Sequence, residues 1–172
     1  MKKMMLCIIL VGCCFLLGAC KSNSFRTAFF MQNEEEIINP YFEKFINGVN
    51  NRDTQMIHSL FAASISDNAS SLMEQIESSF SYFPESLSMT TSACGIHTSS
   101  TMNKNRCTKI DAIFTVEANG QVFYAAMKIC SEDTANSDNV GLVSIYFINA
   151  ADYNGDGSYR GDGKWTPGIN LQ

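Results

Sequence analysis

Ile110-Asp111-Ala112-Ile113-Phe114-Thr115-Val116-Glu117-Ala118-Asn119-Gly120-Gln121-Val122-Phe123-Tyr124-Ala125-Ala126-Met127-Lys128-Ile129 decides the fold class. Asn119-Gly120 sits between two alternating runs. Asn-Gly favours a two-residue hairpin turn because both residues accept positive φ. Such a turn fixes a register in which facing residue numbers sum to 239. Ile110, Ala112, Phe114 and Val116 then face Ile129, Met127, Ala125 and Phe123, a wholly apolar set expected to be core. The other face sets Asp111 opposite Lys128 and Thr115 opposite Tyr124. That face is mixed, so it is solvated or forms an interface. Asp111–Lys128 reads as an exposed ion pair worth under about 1 kcal/mol.

Outward from the hairpin, a strand over about residues 87–97 is expected to pair with 105–118 across a polar loop at 98–104. That pairing brings Cys94 near Cys107. A disulfide there would close a loop worth roughly 3 kcal/mol. Residues 140–149 are apolar on both faces and read as a central strand. Leu142, Tyr146 and Ile148 fall on one face; Val143, Ile145 and Phe147 fall on the other.

Upstream of Pro84 the apolar period is helical. Tyr41, Phe42, Phe45, Ile46 and Val49 form one stripe, with a start at Asn39-Pro40, where proline's missing N–H costs nothing. Glu34, Glu35 and Glu36 suit the N-terminal end of that helix. Asp53 is an N-cap for a second helix carrying Ile57, Leu60, Phe61 and Ile65. Ser71 and Glu74 spell a capping box for a third, with a Leu72, Ile76, Phe80 and Phe83 stripe that Pro84 stops.

The chain opens on Met1-Lys2-Lys3 and an apolar run to Leu17, too short to span a bilayer but suited to a signal peptide. Leu17-Gly18-Ala19-Cys20 resembles the lipobox of bacterial lipoproteins, in which the cysteine takes the lipid. Residues 1–19 are therefore expected to be a signal peptide, residues 20–33 a short membrane-proximal linker, and residues 34–172 one domain. The expected address is the outward face of the cell membrane, through an acylated, palmitate-bearing Cys20. Without Lys2 and Lys3, 10 basic residues remain against 17 acids, a formal charge of −7. This excludes an electrostatic footprint for nucleic acid and leaves the lipid as the evident anchor. Cys94, Cys107 and Cys130 remain beyond Cys20; three thiols cannot all pair, and no CxxC or Cys/His metal spacing is present.

Several pieces together resemble a branch of Gram-positive surface lipoproteins described only as a domain of unknown function. They are Asn51-Arg52-Asp53, Ile57-His58-Ser59-Leu60-Phe61, Glu74-Gln75-Ile76, Asp138-Asn139-Val140-Gly141-Leu142 and Pro167-Gly168-Ile169. That branch belongs to the nuclear transport factor 2-like superfamily. The resemblance implies an α+β cystatin-like cone: three N-terminal helices packed on a curved antiparallel sheet of about four strands. It also implies a pocket between helices and sheet, for which Tyr41, His58, Phe80, Tyr146 and Trp165 are candidate lining residues. It carries over no catalytic residues.

His58 lies beside core positions and is a candidate general base, since a histidine titrates near neutrality; a structural role is the alternative. Asp152, Asn154 and Asp156, with Gly157, open like a calcium loop. Position 12 of that loop is Gly163 instead of an acid, so the metal reading is weak beside an ordinary turn. No cofactor is expected. The expected role is a non-catalytic module holding a small ligand or protein partner. The alternatives are a small-pocket hydrolase or isomerase using His58 or a tyrosine, and a homodimer or interaction protein acting through the exposed sheet face.

Overall fold

The computed structural model describes residues 21–67, 71–102, 105–153 and 164–172. The expected signal peptide, Cys20, Asn154 and Asp156 lie outside these. The chain divides into two compact units, Met1–Asn33 and Glu34–Gln172, and the second holds the sheet and the core. Helix α1 spans Lys21–Asn51, α2 Thr54–Leu60, α3 Ala63–Ser66 and α4 Leu72–Tyr82. Strands β1 Ser88–Met102, β2 Arg106–Ala118, β3 Gln121–Asp133, β4 Gly141–Asn149 and β5 Gly168–Leu171 form one sheet in chain order.

The class is α+β, but the expected three helices on about four antiparallel strands are not what forms. The sheet has five strands, and β5 runs parallel to β4. Phe61 adds a further extended segment through an isolated parallel bridge to Leu142. That bridge divides the expected second helix: α2 stops at Leu60, and α3 restarts at Ala63. Ala62 N–H donates to the Leu142 carbonyl at 3.0 Å, a bond that an unbroken helix could not make. The fifth strand is not legible in the sequence because four residues that begin with a glycine carry too little pattern. It is held from outside, as Ile169 N–H donates to Gln75 Oε1 on α4 at 2.9 Å.

Helix α1 does not begin at Pro40; it runs through it, and residues 21–33 are helical where a linker was expected. Proline costs the helix one backbone bond. Burial offsets this, because Ile38, Phe42, Phe45 and Val49 lie on one stripe spanning the proline, all fully or nearly fully buried. Asn51 ends the helix, Arg52 takes positive φ, and Asp53 caps α2 by accepting from Met56 N–H at 2.9 Å. The Ser71 capping box is not made; the Ser71 side chain accepts from Gln75 Nε2 instead, at 3.3 Å.

The hairpin forms as its turn dictates. From Ile110↔Ile129 to Ala118↔Gln121 every β2–β3 pair keeps the sum of 239, with positive φ at Asn119 and Gly120. Its apolar face meets α1: Phe42 stacks on Phe114 with centroids 3.9 Å apart. Phe83 packs edge-on against Phe123 and Phe147. Strand β4 is buried on both faces, but a register shift between Lys128 and Ile129 changes its alternation. Leu142 therefore joins Ile145 and Phe147 in the main core, while Tyr146 and Ile148 lie in a second cluster with Ile113 and Ala126.

Strand β1 extends through the residues expected to be a loop and reaches Met102, where Thr and Ser suit an edge strand. Three register shifts along it move Cys94 opposite Ile113, whereas Cys107 faces Thr101. Six positions of β2, roughly 20 Å at strand rise, separate those two places. The register therefore does not favour the Cys94–Cys107 disulfide.

Candidate functional site

The candidate pocket residues do not share one cavity. Between helices and sheet the described buried side chains are almost all aliphatic or aromatic. The buried polar or charged residues among those described are Ser79, Asp111 and Ser144. Asp111 is 4 % exposed, so it is not half of an exposed ion pair. It sits opposite Lys128 as the hairpin requires, with His97 Nδ1 3.7 Å from its carboxylate on the other side. The Lys128 ammonium lies 4.0 Å above the ring of Trp165. Trp165 in turn meets Tyr146 edge-on, so these two candidates cover the outer sheet face and not an inner pocket. Phe80 packs beneath the Arg52 guanidinium, which donates to the Phe80 and Pro84 carbonyls. His58 is half-buried on α2.

Tyr41 does line a cavity. An open cleft of about 430 Å³ lies where α1, the end of α2 and the start of β4 meet. Tyr41 and Lys44 come from α1, Met56, Ser59 and Leu60 from α2, and Val140 and Gly141 from the entry to β4. Met56 and Val140 expose 36 % and 37 % of their surface there. The backbone fixes this cleft. Gly141 has φ of +137°, and a Cβ added to it would stand 2.7 Å from the Ala62 nitrogen. Only glycine lets β4 approach the Phe61–Ala62 segment so closely.

A second pocket, of about 190 Å³, lies at the far end of the hairpin from its turn. Lys109 still pairs with Cys130 in the regular register; a bulge between Thr108 and Lys109 then shifts it by one, so Cys107 pairs with Asp133. Ligand atoms of Cys107, Cys130 and Asp133 lie within 4.8 Å of one another. Both thiols are free. Burial first, and then the adjacent Cys107, pushes the Cys130 thiol up to about 11. A neutral thiol of that kind is a poor nucleophile at neutral pH.

Asp133 is fixed by three donors. Its Oδ1 accepts from the N–H groups of Ala135 and Asn136 at 2.9 and 3.1 Å, and its Oδ2 from Asn139 Nδ2 at 2.9 Å. The Asn139 bond, followed by those of Asn136 and Ala135, holds its carboxyl below the usual aspartate range. Sequence reading misses this cluster by pairing Cys107 with the wrong strand. The signal is present in the hairpin register, which sets Cys130 opposite Lys109 and so one diagonal from Cys107. Of the calcium candidates, Asp152 is described and exposed, and its N–H donates to the Asn149 carbonyl as part of a turn.

No helix among the described residues is long and apolar enough to cross a membrane. The model of the family described as Domain of unknown function (DUF5104) matches residues 44–150, a span running from the end of α1 through β4 and including the thiol cluster. No curated protein and no solved structure matches the chain.

Proposed function

We propose that this chain, which belongs to the DUF5104 family, is a lipid-anchored extracytoplasmic module that holds a ligand or protein partner without transforming it. The observation that carries the reading is the contrast between an apolar interior and an open cleft. General acid–base catalysis needs titratable groups that converge on one reacting atom. The helix–sheet interior offers apolar side chains instead. The cleft has Tyr41 and Lys44 but no Asp, Glu or His in its described lining. It combines two polar anchors with exposed Met56 and Val140, a mixture that suits recognition. The outer-face alternative has less support, because Trp165 partly covers the apolar cluster around Tyr146. The anchor rests on the lipobox at Cys20 and on the acidity of the chain.

The test uses the full chain in intact cells. A photo-crosslinking residue at Met56 or Val140 is expected to give a discrete adduct, and one at exposed Glu77 on α4 none. Cys20→Ala should abolish palmitate labelling and release the protein from membranes. Absence of adducts at both cleft positions would contradict binding there; a Cys20→Ala protein that still sediments with membranes would contradict the anchor.

A further inference from the structure

We infer that Cys107, Cys130 and Asp133 form a binding site for a thiophilic divalent metal ion of the zinc class, with an open fourth position facing the pocket. Three observations converge. The two sulfurs and one carboxylate oxygen already lie within 4.8 Å of one another. Zn–S bonds of about 2.3 Å in a tetrahedron need sulfurs roughly 3.8 Å apart, so closure takes a rotamer adjustment and no backbone rearrangement. The carboxylate is positioned in advance: Asn139 and two backbone N–H groups hold Asp133. Oδ2, which accepts from Asn139 Nδ2, keeps a lone pair for a metal. Holding a ligating side chain by a further hydrogen bond is the usual support of a metal site.

The bulge brings the carboxylate to the thiols, because it sets Asp133 opposite Cys107 where the unshifted register would set Glu132. Cys107 faces Asp133 and Cys130 faces Lys109, so the cysteines are diagonal neighbours. Their sulfurs lie within 4.8 Å of each other as two free thiols and not as a disulfide.

Two thiolates and one carboxylate select a soft or borderline ion over calcium or magnesium, which take oxygen ligands. The charge also fits. A dication with three anionic ligands carries −1, and the ammonium of Lys109 lines the same pocket. Coordination deprotonates each thiol, and both protons leave to water. Three protein ligands leave one position for water or a small donor, and a pocket of about 190 Å³ has room for it.

The test is a cobalt titration of the reduced full-length chain in detergent under anaerobic conditions, followed by zinc displacement. A thiolate-to-cobalt charge-transfer band with tetrahedral d–d bands should saturate at one equivalent and vanish on adding zinc. Cys107→Ser and Cys130→Ser should each remove the band, and Cys94→Ser should not. Replacing Cys7, Cys13, Cys14 and Cys20 by Ser should also leave it. Asn139→Ala, which keeps all three ligands, should weaken affinity about 10–100-fold with unchanged far-ultraviolet circular dichroism; this arm stands even if a cysteine variant fails to fold. No band in the folded wild type would overturn the site, as would a band that survives Cys107→Ser in folded protein. A Cys107–Cys130 disulfide in protein taken from thiol-blocked cells would overturn it too.

Discussion

The two ends of the β2–β3 hairpin obey different rules. Near the turn, nine consecutive pairs from Ile110↔Ile129 to Ala118↔Gln121 keep one register, and one face is buried from Ile110↔Ile129 to Val116↔Phe123. Past the Lys109↔Cys130 pair the register slips by one, so Cys107 faces Asp133, and these four residues gather around a pocket. A regular ladder sends alternate side chains to opposite faces, so it builds core well and gathers polar groups poorly. A bulge re-aims the strand and brings unlike residues together. The turn end stabilises the hairpin; the bulge end carries its chemistry.

On that division, the largest loss of stability comes from the turn half. Phe114→Ala removes a fully buried ring stacked on Phe42. It should cost about 3–5 kcal/mol in urea unfolding. A smaller cost arises in the turn itself. Gly120 has φ of +73°, so Gly120→Ala should cost about 1–2 kcal/mol with the fold retained. A cost under a few tenths would mean that the turn does not set the register. Lys128→Gln removes the cation over Trp165 on the outer face. About 0.5–1 kcal/mol is expected there, detectable as a small shift in the unfolding midpoint.

The bulge end should register mainly as pH dependence. The folded-state pKa of Asp133 lies below its unfolded value, near 3.9. Its contribution is then complete above the unfolded pKa and is lost as pH falls through the folded one. Asp133→Asn should therefore lower stability slightly at neutral pH, where the carboxylate is charged, and leave it unchanged in strong acid. The acid limb of the stability profile becomes flatter. An unaltered acid limb would show that Asn139 and the Ala135 and Asn136 amides do not hold the carboxylate.

The same contrast explains what could be read from sequence. Asn119-Gly120 fixes φ signs, and two alternating runs fix faces, so the turn half is set by local rules. Asp53 as N-cap and the Ile57–Leu60 spacing are equally local. What escaped depends on bulges and long-range closure. Three register shifts in β1 carry Cys94 away from Cys107, and one in β4 swaps the face of Leu142. The Phe61–Leu142 bridge breaks a helix whose apolar spacing looks continuous. Pro40 reads as a start until the burial of Ile38 is known. The thiol cluster was half legible: the hairpin register places Cys130 diagonal to Cys107, but nothing local reveals that β3 curls Asp133 back under three donors.

A metal site at the bulge end is tested most directly by zinc K-edge X-ray absorption on the full-length chain loaded with one equivalent of zinc. Two sulfur scatterers at about 2.3 Å and oxygen at about 2.0–2.2 Å are expected, with the sulfur shell lost in Cys130→Ser. A first shell of nitrogen and oxygen alone, or one unchanged in Cys130→Ser, would contradict it.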